Sequence, residues 1–229
     1  MALTKVIGAG LGTLTEDQVL GGATPTLTIG DADAEDAKII FDGNAQDYHI
    51  GLDDSADQLT IGLGSALGTT THMKFDSTGI ITMPLQPSIM FQGSNSNNKT
   101  INHNEQYGST DDGQAAFSTS TANFSHSIAG ITYASATGRF TVTTAGIYLV
   151  YFQTYANSSS AVTVRTAIYR NDVRQAFAHV QSLTYGSSNV SACLKCAAND
   201  FIDFRSIGGS DLVIYEDANH VYGFITKVS

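Results

Sequence analysis

Two cysteines, Cys193 and Cys196, lie three positions apart, which is the spacing of many redox and zinc-binding pairs. Both chemistries require the two sulfur atoms to approach each other or a shared metal. Side chains three positions apart on a β-strand point to opposite faces, and no second pair is present to complete a four-ligand zinc site. We therefore predict two free cysteines that are buried or half-buried in the core.

Acidic residues in turns suggest a second chemistry, the binding of calcium through carboxylate oxygens. Asp31, Asp33, Glu35 and Asp42 stand near positions 1, 3, 5 and 12 of an EF-hand loop. The pattern fails because Asp36 occupies the position that requires glycine, and the final glutamate is missing. We interpret these acids as solvated turn residues, since aspartate is common in turns for local hydrogen-bonding reasons.

Three acids near the C-terminus, Asp211, Glu216 and Asp217, form a second candidate group for calcium, on an outer loop of the C-terminal region. A few turn acids are weak evidence for a metal site, because turns select such residues without any ligand. No cofactor is therefore predicted, and calcium at these three acids is the alternative.

Residues for catalysis do not assemble into a recognisable set. The histidines are scattered without ligand spacing, and no nucleophile elbow, phosphate loop or dinucleotide fingerprint is present. A polysaccharide depolymerase would need paired carboxylates in a groove, and nothing in the C-terminal half suggests them. Four arginines in that half are interpreted as solvated strand ends, with contact to an anionic receptor or glycan as the alternative: Arg165, Arg170, Arg174 and Arg205. The protein is predicted to bind rather than to catalyse.

The net charge of −10 is unevenly placed along the chain. Residues 1–112 carry 15 acids and four lysines, whereas residues 113–229 carry six acids and seven bases. This asymmetry indicates two modules with different surroundings. The acidic module excludes nucleic acid as its partner, because phosphate binding needs a basic footprint. The N-terminus lacks a signal-peptide pattern, and the longest apolar run, Ile147–Phe152, is far too short to cross a membrane.

Short strands are the elements that must position any functional residue, because glycine is abundant and helix formers are scarce. In the acidic module the tetrapeptide Leu-Thr-Ile-Gly occurs at 27–30 and again at 59–62, and Lys38–Asp42 is echoed by Lys74–Asp76. Each unit is predicted to be a strand closed by Gly or Asp. Strands this short cannot bury a face alone, so they need stacking neighbours, which a homotrimer would supply.

As a whole, residues 27–92 resemble the acidic β modules of tail-fibre and other appendage proteins of tailed bacteriophages. The resemblance rests on the first repeat, on the run Ala34–Ala66 and on the turn that begins at Lys74. It implies that residues 27–92 are the short shaft of a virion protein. Residues 1–26 are then an N-terminal attachment segment, and the polar stretch 93–113 is predicted to be a linker.

Residues 114–229 alternate apolar and polar residues in short runs separated by turns, which predicts a β-sandwich or jelly roll. They also resemble the globular head of complement component one q and the tumour necrosis factor-like jelly roll. The markers of that family occur in order, and the most diagnostic stretch is the one from Tyr133 to Phe152. The matching segments are Tyr133, Thr137–Phe140, Gly146–Tyr148, Tyr151–Phe152, Ile168–Asp172, Asn199–Phe204 and Tyr222–Ile225.

This resemblance implies a homotrimer in which three heads pack about a threefold axis with apolar and aromatic side chains at the axis. Glycine beside a large aromatic lets a ring or another strand approach. The residues predicted to pack in the core or in the trimer are Tyr133, Phe140, Gly146, Tyr148, Phe152, Phe204, Gly223 and Phe224.

The expected function is that of a structural virion protein, a trimeric tail fibre or appendage of a tailed bacteriophage that assembles in the bacterial host cytoplasm. Its head is expected to bind a host surface glycan or protein, or a neighbouring virion component, and its N-terminus other virion proteins. The first alternative is a capsid decoration or head-fibre protein with the same architecture. The second alternative is a depolymerase of surface polysaccharide.

Overall fold

The computed structural model describes residues 19–94, 97–119, 127–128, 130–208 and 211–229. The chain divides into two compact units, residues 1–81 and residues 82–229. All regular elements of the described residues are strands, apart from one short 3-10 turn at Asp54–Ala56. No helix in this part of the chain is long and apolar enough to span a membrane. Most of the predicted attachment segment, residues 1–18, lies outside the described residues.

The first unit contains one antiparallel sheet in which the strands follow each other in chain order, β1-β2-β3-β4-β5. Short turns join the strands, and acidic residues occupy several of these turns. β5 is a two-residue strand that reaches the start of the second unit. The strands are β1 (Ala37–Phe41), β2 (Tyr48–Asp53), β3 (Gln58–Leu63), β4 (Thr71–Phe75) and β5 (Ile81–Thr82).

The repeated tetrapeptide has two different structures. Residues 59–62 lie within β3, between β2 and β4, whereas residues 27–30 form no strand. The strand predicted at 27–30 is therefore wrong, because strand formation depends on cross-strand neighbours more than on local sequence. The strands predicted at Lys38–Asp42 and Lys74–Asp76 are confirmed as β1 and the end of β4.

The second unit contains ten strands connected through one hydrogen-bonded network, with β8-β6-β15-β11-β13-β10-β9 as its main path. β12 pairs with β11, and β14 pairs with both β11 and β7. The predicted all-β architecture is confirmed. The strands are β6 (Ser88–Gln92), β7 (Asn98–Ile101), β8 (Ser127–Ile128), β9 (Ile131–Ala134), β10 (Arg139–Val142), β11 (Gly146–Arg170), β12 (Val173–Cys196), β13 (Phe201–Ser206), β14 (Leu212–Tyr215) and β15 (Tyr222–Lys227).

A long hairpin of β11 and β12 connects the layers of this unit. The first half of β11 pairs with β15, and its last five residues pair with β13, so one strand takes part in both layers. Register shifts after Asn157 accommodate the change of direction. The hairpin turns at Asn171 and Asp172, which have φ angles of 50° and 62°. Asn and Asp tolerate this left-handed conformation, which two-residue hairpin loops require.

The second unit begins earlier than the sequence predicts. β6 pairs with β15 and β7 pairs with β14, so residues 82–113 are part of this unit and not of a shaft and a linker. Ile101 and Tyr107 are fully buried within the polar stretch. Its backbone groups bond to the sheet, as in Tyr107 N to the Phe204 carbonyl at 2.9 Å. The polar composition of 93–113 reflects loop turns on a packed surface and not an independent linker.

Candidate interaction surface

Four of the eight predicted packing residues lie in the core of a single head. Phe140, Tyr148, Phe152 and Phe204 are fully buried by the residues of their own chain. The rings of Phe152 and Phe204 stack with centroids 4.5 Å apart. These residues stabilise the fold of one chain, since aromatic rings contribute the largest buried areas in a core. They offer no surface to a partner.

Phe91 is the residue at the centre of this cluster, and the sequence analysis missed it. Its ring centroid lies 4.4 Å from that of Phe140 and 5.3 Å from that of Phe204. Gly223 stands opposite Phe91 in the pairing of β15 with β6. A β-carbon at Gly223 would lie 2.5 Å from the Phe91 ring, so glycine is required there for the ring to pack against the strand. The sequence signal is the short apolar run Ile89–Phe91, which does not by itself distinguish a strand from a buried helix segment.

Tyr133 and Gly146 support the edges of the same core. The Tyr133 hydroxyl donates to the Gly108 carbonyl at 2.6 Å and accepts from Phe117 N at 2.8 Å. Burial raises the pKa of Tyr133 to about 12, so the hydroxyl keeps its proton. Gly146 lies against the Lys227 side chain and the C-terminal backbone, where a β-carbon would collide. Tyr133 thus holds the loop before β8, and Gly146 accommodates the chain end.

Phe224 differs from the other predicted aromatics because it lies on the outward face of its sheet. Tyr151 and Met90 stand beside it in the pairings of β15 with β11 and β6. The Tyr151 and Phe224 rings stack at 5.6 Å, and Tyr222 lies 6.0 Å from Tyr151. All four side chains are only half-buried. This outward face is therefore lined by apolar and aromatic groups that one chain does not cover.

More aromatic residues extend this row towards the β14–β15 turn. His220 contacts the edges of Tyr155 at 4.6 Å and Tyr215 at 5.1 Å between ring centroids. Its Nδ1 lies 2.5 Å from Oδ1 of Asp217. We call the whole set the aromatic strip, and its members are Met90, Tyr151, Tyr155, Tyr215, His220, Tyr222 and Phe224.

The side-chain amide of Gln153 accepts hydrogen bonds from the hydroxyl groups of two tyrosines in the aromatic strip. Oε1 of Gln153 accepts hydrogen bonds from the Tyr151 hydroxyl at 3.1 Å and the Tyr222 hydroxyl at 3.2 Å. Burial, followed by the nearby Tyr222 hydroxyl, raises the pKa of Tyr151 to about 12. The Tyr151 phenol is therefore neutral at physiological pH. The rings are held in fixed orientations, and this reduces the entropy cost of burying them against a partner.

The three acids of the alternative calcium site serve separate contacts. Glu216 is buried, and its Oε1 accepts from Ala115 N at 3.2 Å. Asp217 caps the following turn by accepting from His220 N at 3.0 Å, whereas Asp211 is exposed at the start of β14. The described residues contain no group of three or more His, Cys, Asp or Glu side chains that could hold a metal ion. The structure therefore does not assemble the predicted alternative site.

The two cysteines and Arg205 have their environments set by the fold. Both cysteines are free and Cys196 is buried, as predicted, but the predicted burial of Cys193 is wrong, because it lies on the exposed face of β12. Burial raises the pKa of the Cys196 thiol.

Arg205 Nε lies 2.5 Å from Oδ1 of the buried Asp203, and its guanidinium lies over the Tyr169 ring at 4.2 Å. This arginine is engaged in the fold and not solvated as the sequence analysis proposed.

Comparison with known proteins identifies the fold. No protein-family model and no curated protein sequence matches the chain. Among solved structures, Eiger TNF from S. frugiperda aligns over 63% of this chain and 93% of its own, with a TM-score of 0.51 and 19% identity. The second unit is a tumour necrosis factor-like jelly roll. The aligned part of the chain is about as long as the second unit, residues 82–229.

Other tumour necrosis factor-like structures align with lower scores. Murine APRIL covers 62% of this chain and 99% of its own, with 11% identity and a TM-score of 0.46. Rabbit GITRL covers 43% of this chain and 77% of its own, with 14% identity and a TM-score of 0.34. The predicted jelly-roll fold is confirmed by the Eiger alignment, and this likeness concerns the fold alone.

Proposed function

We propose that the protein is a structural component of a tailed-bacteriophage virion, a homotrimeric fibre or appendage with jelly-roll heads. One observation carries the proposal: a tumour necrosis factor-like head leaves an aromatic strip half open on the outward face of one sheet. The acidic first unit serves as a short shaft. The N-terminal residues attach the trimer to other virion proteins. Support for the viral setting comes from the resemblance of the acidic module to phage appendage modules.

The aromatic strip suits the threefold axis of a trimer. Tyr151, Tyr222 and Phe224 are half-buried, and the Tyr151 phenol is neutral at physiological pH. Tyrosine, phenylalanine and methionine are enriched in the cores of protein interfaces. The resemblance of the head to the complement and tumour necrosis factor-like family implies aromatic side chains at such an axis. We therefore place this strip at the contact between three heads.

Binding, and not catalysis, is the activity that this head supports. The buried carboxylate of Asp203 pairs with Arg205, and Glu216 accepts a backbone hydrogen bond. A depolymerase would need two carboxylates facing a groove, so these engaged acids favour a binding protein. Three copies of one weak host contact in a trimer would act together through avidity.

The exposed side of β12 is the surface we assign to host contact. Phe177 and Tyr185 on β12 are among the most exposed aromatic side chains of the described residues. The Arg174 guanidinium lies 5.0 Å from the centroid of the Phe177 ring. Exposed rings beside a cation suit the stacking and hydrogen bonding that glycans require. The contact proposed here is therefore with a host surface glycan.

Two experiments test this function. Gold-labelled antibodies on purified phage particles, viewed by electron microscopy, are expected to mark the tail. Labels on the capsid would favour the decoration protein, and unlabelled particles would contradict a virion role. Binding of the purified full chain to host cells is expected to weaken at least about tenfold with Phe177→Ala, because avidity multiplies the loss at each site. Equal binding by Phe177→Ala and by a Val228→Ala control would contradict the assigned contact surface.

A further inference from the structure

The sheet of the first unit has two chemically different faces. Residues that pair across neighbouring strands lie on the same face, and the register aligns Ile39, Ile50 and Ile61 across β1, β2 and β3. Every second residue of these strands belongs to this face, and none of them is charged. We call this set the apolar face, and its members are Ala37, Ile39, Phe41, Tyr48, Ile50, Leu52, Leu59, Ile61, Leu63, Met73 and Phe75.

Much of the apolar face is open. Six of its large side chains are between 37% and 55% exposed, with Ile50 lowest and Phe41 highest. The other five members are half-buried by their neighbours. A contiguous apolar patch on the order of 500 Å² is near the largest that monomeric proteins expose, and patches of that size mark interaction sites.

The opposite face of the same sheet is polar and closed at β2 and β3. His49 and Thr60 are fully buried there. Gly51 and Gly62 bring the segment after β3 close to the sheet: β-carbons there would lie 3.0 Å from Leu67 Cδ2 and 2.5 Å from the Thr70 carbonyl oxygen. His49 Nδ1 also bonds the Gly64 carbonyl at 2.8 Å. The chain thus covers the polar side of β2 and β3 with its own residues and leaves the apolar face uncovered, whereas β1 is exposed on both sides.

This arrangement inverts the usual distribution of polar and apolar residues in a half-covered sheet, in which the apolar face is the one that packs on the core. Burial in β2 alternates in the same sense, with Tyr48, Ile50 and Leu52 exposed and His49 and Gly51 buried. The hydrophobic effect favours removal of such a face from water, by about 25 cal/mol per Å² of apolar surface. The sheet is therefore built to pack against another apolar surface.

We propose that the apolar face is buried against the same face of neighbouring copies of this chain and forms the interior of the shaft. A flat apolar sheet packs on a similar sheet at about 10 Å, with interdigitated side chains. The proposal rests on the proposed trimer, and it names the residues that line the axis of the first unit.

Charge favours further copies of this chain over other occupants. The apolar face carries no charge that a charged partner could recognise, and the acidic module around it repels anionic lipid surfaces and nucleic acid. Self-association of the apolar face brings three acidic modules together, so their charged turns must remain at the solvated rim. The acidic turn at Asp53 and Asp54 lies at the end of β2, away from the middle of the apolar face, which agrees with this requirement.

Ile39 and Ile40 provide a matched pair for the test. They are adjacent in β1, have the same side chain and are 42% and 41% exposed, but only Ile39 lies on the apolar face. Ile39→Cys and Ile40→Cys are prepared separately in the full chain with Cys193→Ser, which removes the exposed native thiol. The rate of maleimide labelling and the native mass are measured on the same samples.

We expect a trimer in which the Ile39→Cys thiol reacts at least about tenfold more slowly than the Ile40→Cys thiol, because only the first is buried between copies. Equal rates in an intact trimer would overturn the shaft interior and leave the trimer of heads standing. A protected Ile39→Cys thiol in a monomeric chain would show that the chain covers its own face. A monomer with two reactive thiols would overturn this inference and the proposed trimer together.

Discussion

The rings of Tyr151 and Phe224 stack 5.6 Å apart on the outward face of a sheet, whereas Phe152, the next residue along β11, lies fully buried in the core. Two adjacent aromatics of one strand thus have separate roles. Phe152 stabilises the fold of a single head, and Tyr151 belongs to a strip that one head leaves half open. The proposed trimer is based on the position of Tyr151 in this half-open strip.

Truncating the aromatic strip should weaken the trimer and leave the fold of the head intact. Phe224→Ala removes a half-buried ring from the proposed axis, so the free energy of trimer formation should fall by about 1–3 kcal/mol for each site. Sedimentation equilibrium measures this change. Val173→Ala, a truncation at an exposed position of β12 outside the strip, serves as the control. If the two variants dissociate at the same concentration, the strip is not the interface.

Residues 82–113 should prove essential to the stability of the head. Phe91→Ala removes the central ring of the core, and comparable truncations cost about 3–5 kcal/mol. The adjacent Met90→Ala changes a side chain on the outward face and should cost much less in folding stability. Urea unfolding monitored by tyrosine fluorescence compares the two variants. A Phe91→Ala head as stable as the unmodified protein would mean that β6 does not belong to the head core.

The buried carboxyl of Glu216 should make stability depend on pH. Burial raises its pKa from 4.5 to about 7, against smaller opposing contributions from the Ala115 hydrogen bond and from Lys99. Between these values the folded protein holds a proton that the unfolded chain has released, so stability falls as pH rises from about 4.5 to 7. Glu216→Gln keeps the acceptor for Ala115 N and should flatten this slope.

Thermal unfolding of both proteins at pH 5 and pH 8 measures the effect. Glu216→Gln should be the more stable protein at pH 8, by on the order of 1–3 kcal/mol, with little difference at pH 5. The same pH dependence in both proteins would show that the carboxyl at position 216 titrates with an ordinary pKa.

Removal of divalent cations should leave the head unchanged. Glu216 and Asp217 already accept hydrogen bonds from backbone groups, and Asp211 is exposed at the other end of β14. The melting temperature in EDTA should therefore equal that in calcium to within about 1 °C, since a ligand that binds only the folded state raises it. A clear rise in calcium that disappears with Asp217→Asn would restore the alternative calcium site.

The sequence was sufficient to predict the jelly roll because the motifs around Thr137–Phe140 and Gly146–Tyr148 mark particular turns and strands of that fold. The sequence does not show which side chains of β11 face the core and which face outward. Residues 147–152 are apolar at every position, so there is no alternation of polar and apolar residues to distinguish the two faces. Only the pairing with β15 places Tyr151 outward and Phe152 inward.

Other features depended on partners far apart in the chain. Phe91 lies between two prolines and a polar stretch, and its strand is recognisable only beside β15. The same four residues form a strand at 59–62 and none at 27–30, because only the second copy has strands on both sides. The sequence indicated that the short strands of the first unit need stacking neighbours. Which residues form the open apolar face could be recognised only from the register of β1 to β4.

The mass of the assembled, full-length protein tests the central claim most directly. Native mass spectrometry, confirmed by light scattering across a range of concentrations, should give three times the chain mass of 24.2 kDa. A stable monomer at micromolar concentration would contradict the proposed fibre and the shaft interior alike.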